Sequence, residues 1–146
     1  MYDQPLREVM RRNRDKTLKV PPTTLVNEAA RLMAAAGVGA VLVVEDGHLT
    51  GILTERDVLF RVVARDLDPT VTSVMQVMTL TPRTLAPEQP FGVALALMQK
   101  KGFRHVPVVQ DGKPVGMVFA RDALDPDLED FVAESRRRDR YYAAID

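Results

Sequence analysis

The chain contains one pattern twice. Shifted by 65 positions, Pro22–Leu59 aligns with Pro87–Leu124 without a gap, and 14 of the 38 pairs are identical. Many identities fall on residues that shape a backbone: Gly37/Gly102, Asp46/Asp111, Gly47/Gly112, Gly51/Gly116 and Asp57/Asp122. Self-similarity of this kind marks one supersecondary unit present in two copies. Whatever this chain folds into must therefore set two like units against each other within 146 residues, about one ordinary domain.

Each copy reads the same way. In the first, Val26, Ala29, Ala30 and Met33 recur at helical spacing, and Gly37 stands where a helix C-cap glycine belongs. Val41–Val44 is a short apolar run rich in β-branched residues, expected as a strand buried on both faces. Asp46-Gly47 is a hairpin turn signal, Leu49–Leu53 the returning strand, and Thr54 opens a helix expected to run to about Asp66. The second copy gives a helix over Phe91–Lys101, strands Val106–Val109 and Val115–Val118, and a helix from about Ala120. Asp125-Pro126 should interrupt that helix and start another. Short strands are expected ahead of each first helix, near Thr17–Val20 and Arg83–Leu85, making each unit β-α-β-β-α with a right-handed crossover. The expected class is α/β (α+β): two such repeats about a pseudo-twofold axis, their sheets facing each other. The expected organisation is an N-terminal helical segment (1–16), repeat one (17–66), a linker (67–80), repeat two (81–124) and a helical tail (125–146).

Several chemistries are disfavoured by what the chain lacks. It has no cysteine, hence no disulfide, thiolate metal site or cysteine nucleophile, which fits a cytoplasmic protein. His48 and His105 belong to no metal-binding spacing, and Ser73 and Ser135 lie in no nucleophile elbow. No catalytic residue, metal or cofactor is assigned. Twenty basic residues balance twenty acidic ones, tryptophan is absent, and no apolar run approaches a membrane span. Nucleic acid and membrane are therefore not expected partners. The tail's Arg136-Arg137-Arg138-Asp139-Arg140 sits among seven acids in residues 125–146 and reads as a solvated helix end.

The informative stretch is Gly51-Ile52-Leu53-Thr54-Glu55-Arg56-Asp57. Thr54 and Asp57 have capping-box spacing, which alone would justify both. The same strand-to-helix turn also suits a nucleoside phosphate, because a carboxylate there can accept both hydroxyls of a ribose. The second copy keeps Asp122 but has Phe119 where Thr54 stands. Conversely, Arg104-His105 replaces Gly39-Ala40, and reads either as surface charge with a rim histidine or as a pair of phosphate ligands.

Taken together, these stretches resemble a tandem pair of cystathionine-beta-synthase (CBS) domains, a Bateman module. The resemblance is carried by Val26–Ala36, Val41–Val44, Gly51–Asp57, Gly102–Val109, Gly116–Asp122, the linker Val74–Thr79 and Leu6–Met10, and covers residues 6–124. It implies a non-catalytic regulatory module that binds an adenine nucleotide or adenosyl compound: AMP, ADP or ATP first, S-adenosylmethionine or NAD behind them. It implies one good cleft built from Thr54, Asp57, Arg104 and His105, with Val20, Val41 and Ile52 as apolar walls. A second, weaker cleft would hold Asp122, with Phe119, Gly39 and Ala40 where ligands would help. It further implies a disk-like homodimer acting on an effector protein that the sequence does not identify. A ligand-free dimerisation module is the alternative. Apolar helix faces expected to pair are Val58, Leu59, Val62 and Val63, with Leu95 and Met98.

Overall fold

The computed structural model describes residues 2–124 and 135–145. The chain runs α1 (Leu6–Val9), a 3-10 stretch (Met10–Lys16), β1 (Lys19–Val20), α2 (Val26–Ala36), β2 (Ala40–Glu45) and β3 (His48–Thr54). Then come α3 (Glu55–Asp57), π-helical turns (Val58–Val63), α4 (Val74–Val77), β4 (Thr79–Leu80), α5 (Phe91–Lys101), β5 (His105–Gln110), β6 (Lys113–Phe119), a 3-10 turn (Ala120–Ala123) and α6 (Ser135–Ala144). The expected helix start at Asp125-Pro126 lies outside the described residues.

The repetition extends to backbone detail. Both hairpins turn on Asp-Gly with positive φ at both residues, 53° and 80° at Asp46-Gly47 and 55° and 78° at Asp111-Gly112. That is the two-residue turn whose twist matches its strands. Both hairpins also shift register at matching places, Val43/Val44 and Val108/Val109. The first sheet has four strands in the order β1-β2-β3-β4, with β1 parallel to β2 and the other pairs antiparallel. Among the described residues the second has β5 and β6 only. The strand expected near Arg83–Leu85 is reduced to one parallel bridge, Leu85 to Val108. Pro82 and Pro87 bound that segment and withhold ladder donors on either side.

Strand alternation divides the core into three layers. Val41, Val43 and Leu53 face α2 with Val20, Val26, Ala29, Met33 and Val62. Val106, Val108 and Val118 face α5 with Phe91, Ala94 and Met98. Between the sheets lie Val38, Ala40, Leu42, Ile52, Met117 and Phe119, so the two sheets face each other.

Each unit is closed by a segment from outside it. Val74, Val77 and Met78 complete the first unit's core. Leu6 and Val9 complete the second's, and Leu6 N–H donates to Gln89 O at 2.9 Å. The match continues at the glycines: a Cβ at Gly51 would collide with the Met78 side chain, and one at Gly116 with that of Met10. The start of the chain thus does for the second unit what the linker does for the first.

Candidate functional site

Thr54 ends β3 in extended conformation and caps α3. Its Oγ1 accepts the Asp57 N–H at 3.2 Å, and Asp57 Oδ2 accepts the Thr54 N–H at 2.9 Å. The second carboxylate oxygen is less engaged: Thr79 Oγ1 is 3.4 Å from Oδ1, and Arg61 Nε 3.7 Å. Asp57 is 7% exposed and lines the wall of a cleft.

That cleft is a cavity of about 680 Å³ between the units. The structure brings Ile52, Thr54 and Asp57 of the first unit to it together with Arg104 and His105 of the second. Val20 and Val41 are not part of it. Val41 lies between Ala40 and Leu42, which face the other sheet, so its side chain points the opposite way, into the α2 core beside Val20. The apolar wall is supplied instead by Ile52 with Phe103, Pro82 and Pro107. The sequence reading also missed Thr79, Thr81 and Arg83, which the connection after α4 carries into the cavity, and Lys101 at the end of α5. Thr79 closes the family-like Val74–Thr79 stretch, and at the 65-residue offset of the repeat Arg83 and Lys101 stand opposite Leu18 and Ala36. Those were the signals available.

His105 is pushed down to about 4, first by burial and then by the Arg121 and Arg104 charges. Its ring meets Phe119 edge to face at 5.5 Å. At neutral pH it is therefore a neutral hydrogen-bonding group and Arg104 carries the charge. Arg61 is already committed, donating to Val77 O and Met78 O at 3.3 and 3.1 Å.

The pseudosymmetric partner cleft differs. Asp122 does not line it. The carboxylate is 2% exposed and accepts from Phe119 N–H at 2.7 Å and Asn13 Nδ2 at 2.9 Å. Asn13 also donates to Met117 O at 3.1 Å, so the 3-10 stretch after α1 lies where Asp122 would otherwise open to solvent. What is left is a cavity of about 550 Å³ lined by Met33, Val38, Phe119 and Leu124, sharing Glu55, Arg104 and His105 with the first. The Arg121 guanidinium lies 4.9 Å over the Phe119 ring. The sequence expectation that Asp122 belongs to this cleft is thus corrected: Asn13 takes its carboxylate into the core.

The CBS domain family model matches residues 6–64 and 74–128. A CBS domain-containing protein of Arabidopsis thaliana is 37% identical over 113 residues, covering 77% of this chain and 21% of that protein. The chain spans about a fifth of the length of the first curated relatives it matches. Among solved structures, an uncharacterized conserved protein from Pyrococcus horikoshii superposes with a TM-score of 0.77 at 30% identity, covering 87% of this chain and 94% of that one. A CBS domain protein from Pyrobaculum aerophilum complexed with AMP gives 0.73 at 28% identity, covering 82% and 89%. Among the described residues no helix is long and apolar enough to cross a membrane.

Proposed function

This chain belongs to the CBS-domain family as a tandem pair, a regulatory module, and we propose that it senses an adenine nucleotide in the cavity between its units. Asp57 Oδ1 and Thr54 receive the ribose hydroxyls, Arg104 and His105 the phosphate, and Ile52, Phe103 and Pro107 flank the base. The observation that carries this reading is the convergence of Thr54 and Asp57 from one unit with Arg104 and His105 from the other on one cavity. The AMP complex of the Pyrobaculum aerophilum relative supports it. AMP and ATP rank ahead of S-adenosylmethionine because Arg104 suits a phosphate, which that compound lacks. The module has no catalysis of its own. It pairs as a homodimer through exposed helical surface, and ligand acts by binding one arrangement better than another.

A thermal-unfolding scan tests the reading. A nucleotide at a hundred times its Kd adds about 2.7 kcal/mol, a rise in Tm of roughly 5–10 °C for a chain of this size. Asp57→Ala should abolish the rise while costing about 1 kcal/mol of cap stability. A second reading, a ligand-free dimerisation module, is favoured by the capping box, both of whose bonds are made without any ligand. On that reading Asp57→Ala only melts earlier and no adenine compound moves the wild type.

A further inference from the structure

We infer that the open end of the first cavity is a polyphosphate subsite, set by Arg83 and Lys101 with Arg104, so that this chain favours nucleoside triphosphates over monophosphates. The inference deepens the nucleotide reading above and rests on it for the base and ribose. Three segments deliver the three cations: the connection after β4, the last residue of α5, and the turn before β5. All three are exposed, and among the described residues none has an ion-pair or hydrogen-bond partner for its side-chain charge. The other cationic side chains of the cavity are differently placed. Arg61 is tied to Val77 O, Met78 O and the Asp57 side, and Arg56 lies 5.1 Å over the Phe60 ring.

The duplicated fold supplies an internal control. At the same 65-residue offset, continued four positions ahead of the aligned stretch for the first pair, Arg83, Lys101 and Arg104 stand opposite Leu18, Ala36 and Gly39. The first unit builds the same helix end and the same strand entry without any of these charges, so the fold does not require them. Lys101 complements the carbonyl end of α5, but α2 ends equally well on Ala36. Three unpaired cations around one cavity cost mutual repulsion unless an anion neutralises them. The carboxylates that share the cavity are Glu55 and the capping Asp57, and neither lies within ion-pair distance of the three. A monophosphate is served by Arg104 and His105 alone. A longer anionic chain continues from there toward Arg83 and Lys101.

The test is calorimetric titration with AMP, ATP and inorganic tripolyphosphate, each with EDTA present, on wild type and on Arg83→Gln/Lys101→Gln. Both side chains are exposed, so the double variant should fold, and its Tm without ligand checks this. Charge-assisted hydrogen bonds predict that wild type binds ATP about tenfold or more tighter than AMP, and that the double variant loses about that factor for ATP while AMP stays within about twofold. Tripolyphosphate should bind wild type and not the double variant. Equal wild-type affinities for AMP and ATP, or equal losses for both in the double variant, would overturn the subsite and leave the nucleotide reading standing. Failure of both nucleotides with retained tripolyphosphate binding would overturn the nucleotide reading and support the subsite. Failure of all three overturns both.

Discussion

His105 shows how one residue can couple the cleft to pH. Burial and two neighbouring arginines hold it neutral down to about pH 4, whereas an unfolded chain protonates it near 6.5. Between those values the unfolded state binds a proton that the native state refuses, so stability falls as pH is lowered from 6.5 to 4. The full difference is about 3 kcal/mol. His105→Gln should flatten that part of the stability–pH curve relative to wild type, as read by urea unfolding at pH 4.5 and 7. Parallel curves would show that the ring titrates normally. The site residues were legible to different degrees at this scale. Thr54 and Asp57 stood out by their capping-box spacing at a strand end, Arg104 and His105 because the other copy has Gly39 and Ala40 there. Val20 and Val41 were misplaced because an apolar run buried on both faces carries no mark of which face its residues take. Only the pairing of Ala40 and Leu42 with Met117 and Phe119 across the sheets decides it.

At the scale of elements, the repeat made helices, hairpins and turns readable, since each is specified within a few residues. What stayed hidden is built from contacts across the chain. The stretch 11–17 between Met10 and Leu18 is three residues longer than its counterpart between Met78 and Arg83, and it coils as 3-10 instead of pairing as β4 does. Its anchor is Asn13, which reaches residues more than a hundred positions away. Asn13→Ala leaves the Met117 carbonyl and the Asp122 carboxylate each short of a buried donor, a loss of about 1–3 kcal/mol. Chemical denaturation should show that loss, while nucleotide affinity of the first cleft stays unchanged because Asn13 touches neither Asp57 nor Arg104. A drop in affinity would mean the two clefts are coupled through the sheets. The glycine–methionine pairs make a matching prediction. Gly116→Ala forces Met10 out of its seat and should cost about 1–3 kcal/mol, with Gly51→Ala doing the same through Met78. If Met10→Ala removes most of the Gly116→Ala penalty in a double-mutant cycle, the start of the chain is part of the second unit's core. Independent penalties would argue against that.

At the scale of the whole molecule, the described residues include an exposed apolar surface on the turns after α3. Leu59, Phe60 and Val63 on the π-helical turns are 53%, 51% and 61% exposed, and Leu67, Val71 and Met75 are exposed further along the chain. The sequence pattern had grouped Val62 and Met98 with the pairing faces, but both are buried, because the helical turns that carry them pack against their own sheets. The turns 58–63 explain the rest. Their i→i−5 bonds, Ala64 N–H to Leu59 O at 2.9 Å among them, widen the helix, so that Val62 is buried while both 59 and 63 face out. Large apolar side chains grouped on one face mark an interaction site, and in the proposed homodimer the face is covered by a second copy. Leu59→Glu/Val63→Glu places two carboxylates on each side of that contact. Sedimentation equilibrium should give twice 16.3 kDa for wild type and 16.3 kDa for the variant, with unchanged far-UV circular dichroism. Thr54 and Asp57 of one unit and Arg104 and His105 of the other, all of a single chain, line the first cavity, so the monomeric variant should still bind nucleotide and lose only what the second copy contributes. A variant that keeps the dimer mass would move the contact to another face. A wild type that sediments at 16.3 kDa would leave the exposed face to the effector, and the signal would then have to pass between the two units of a single chain.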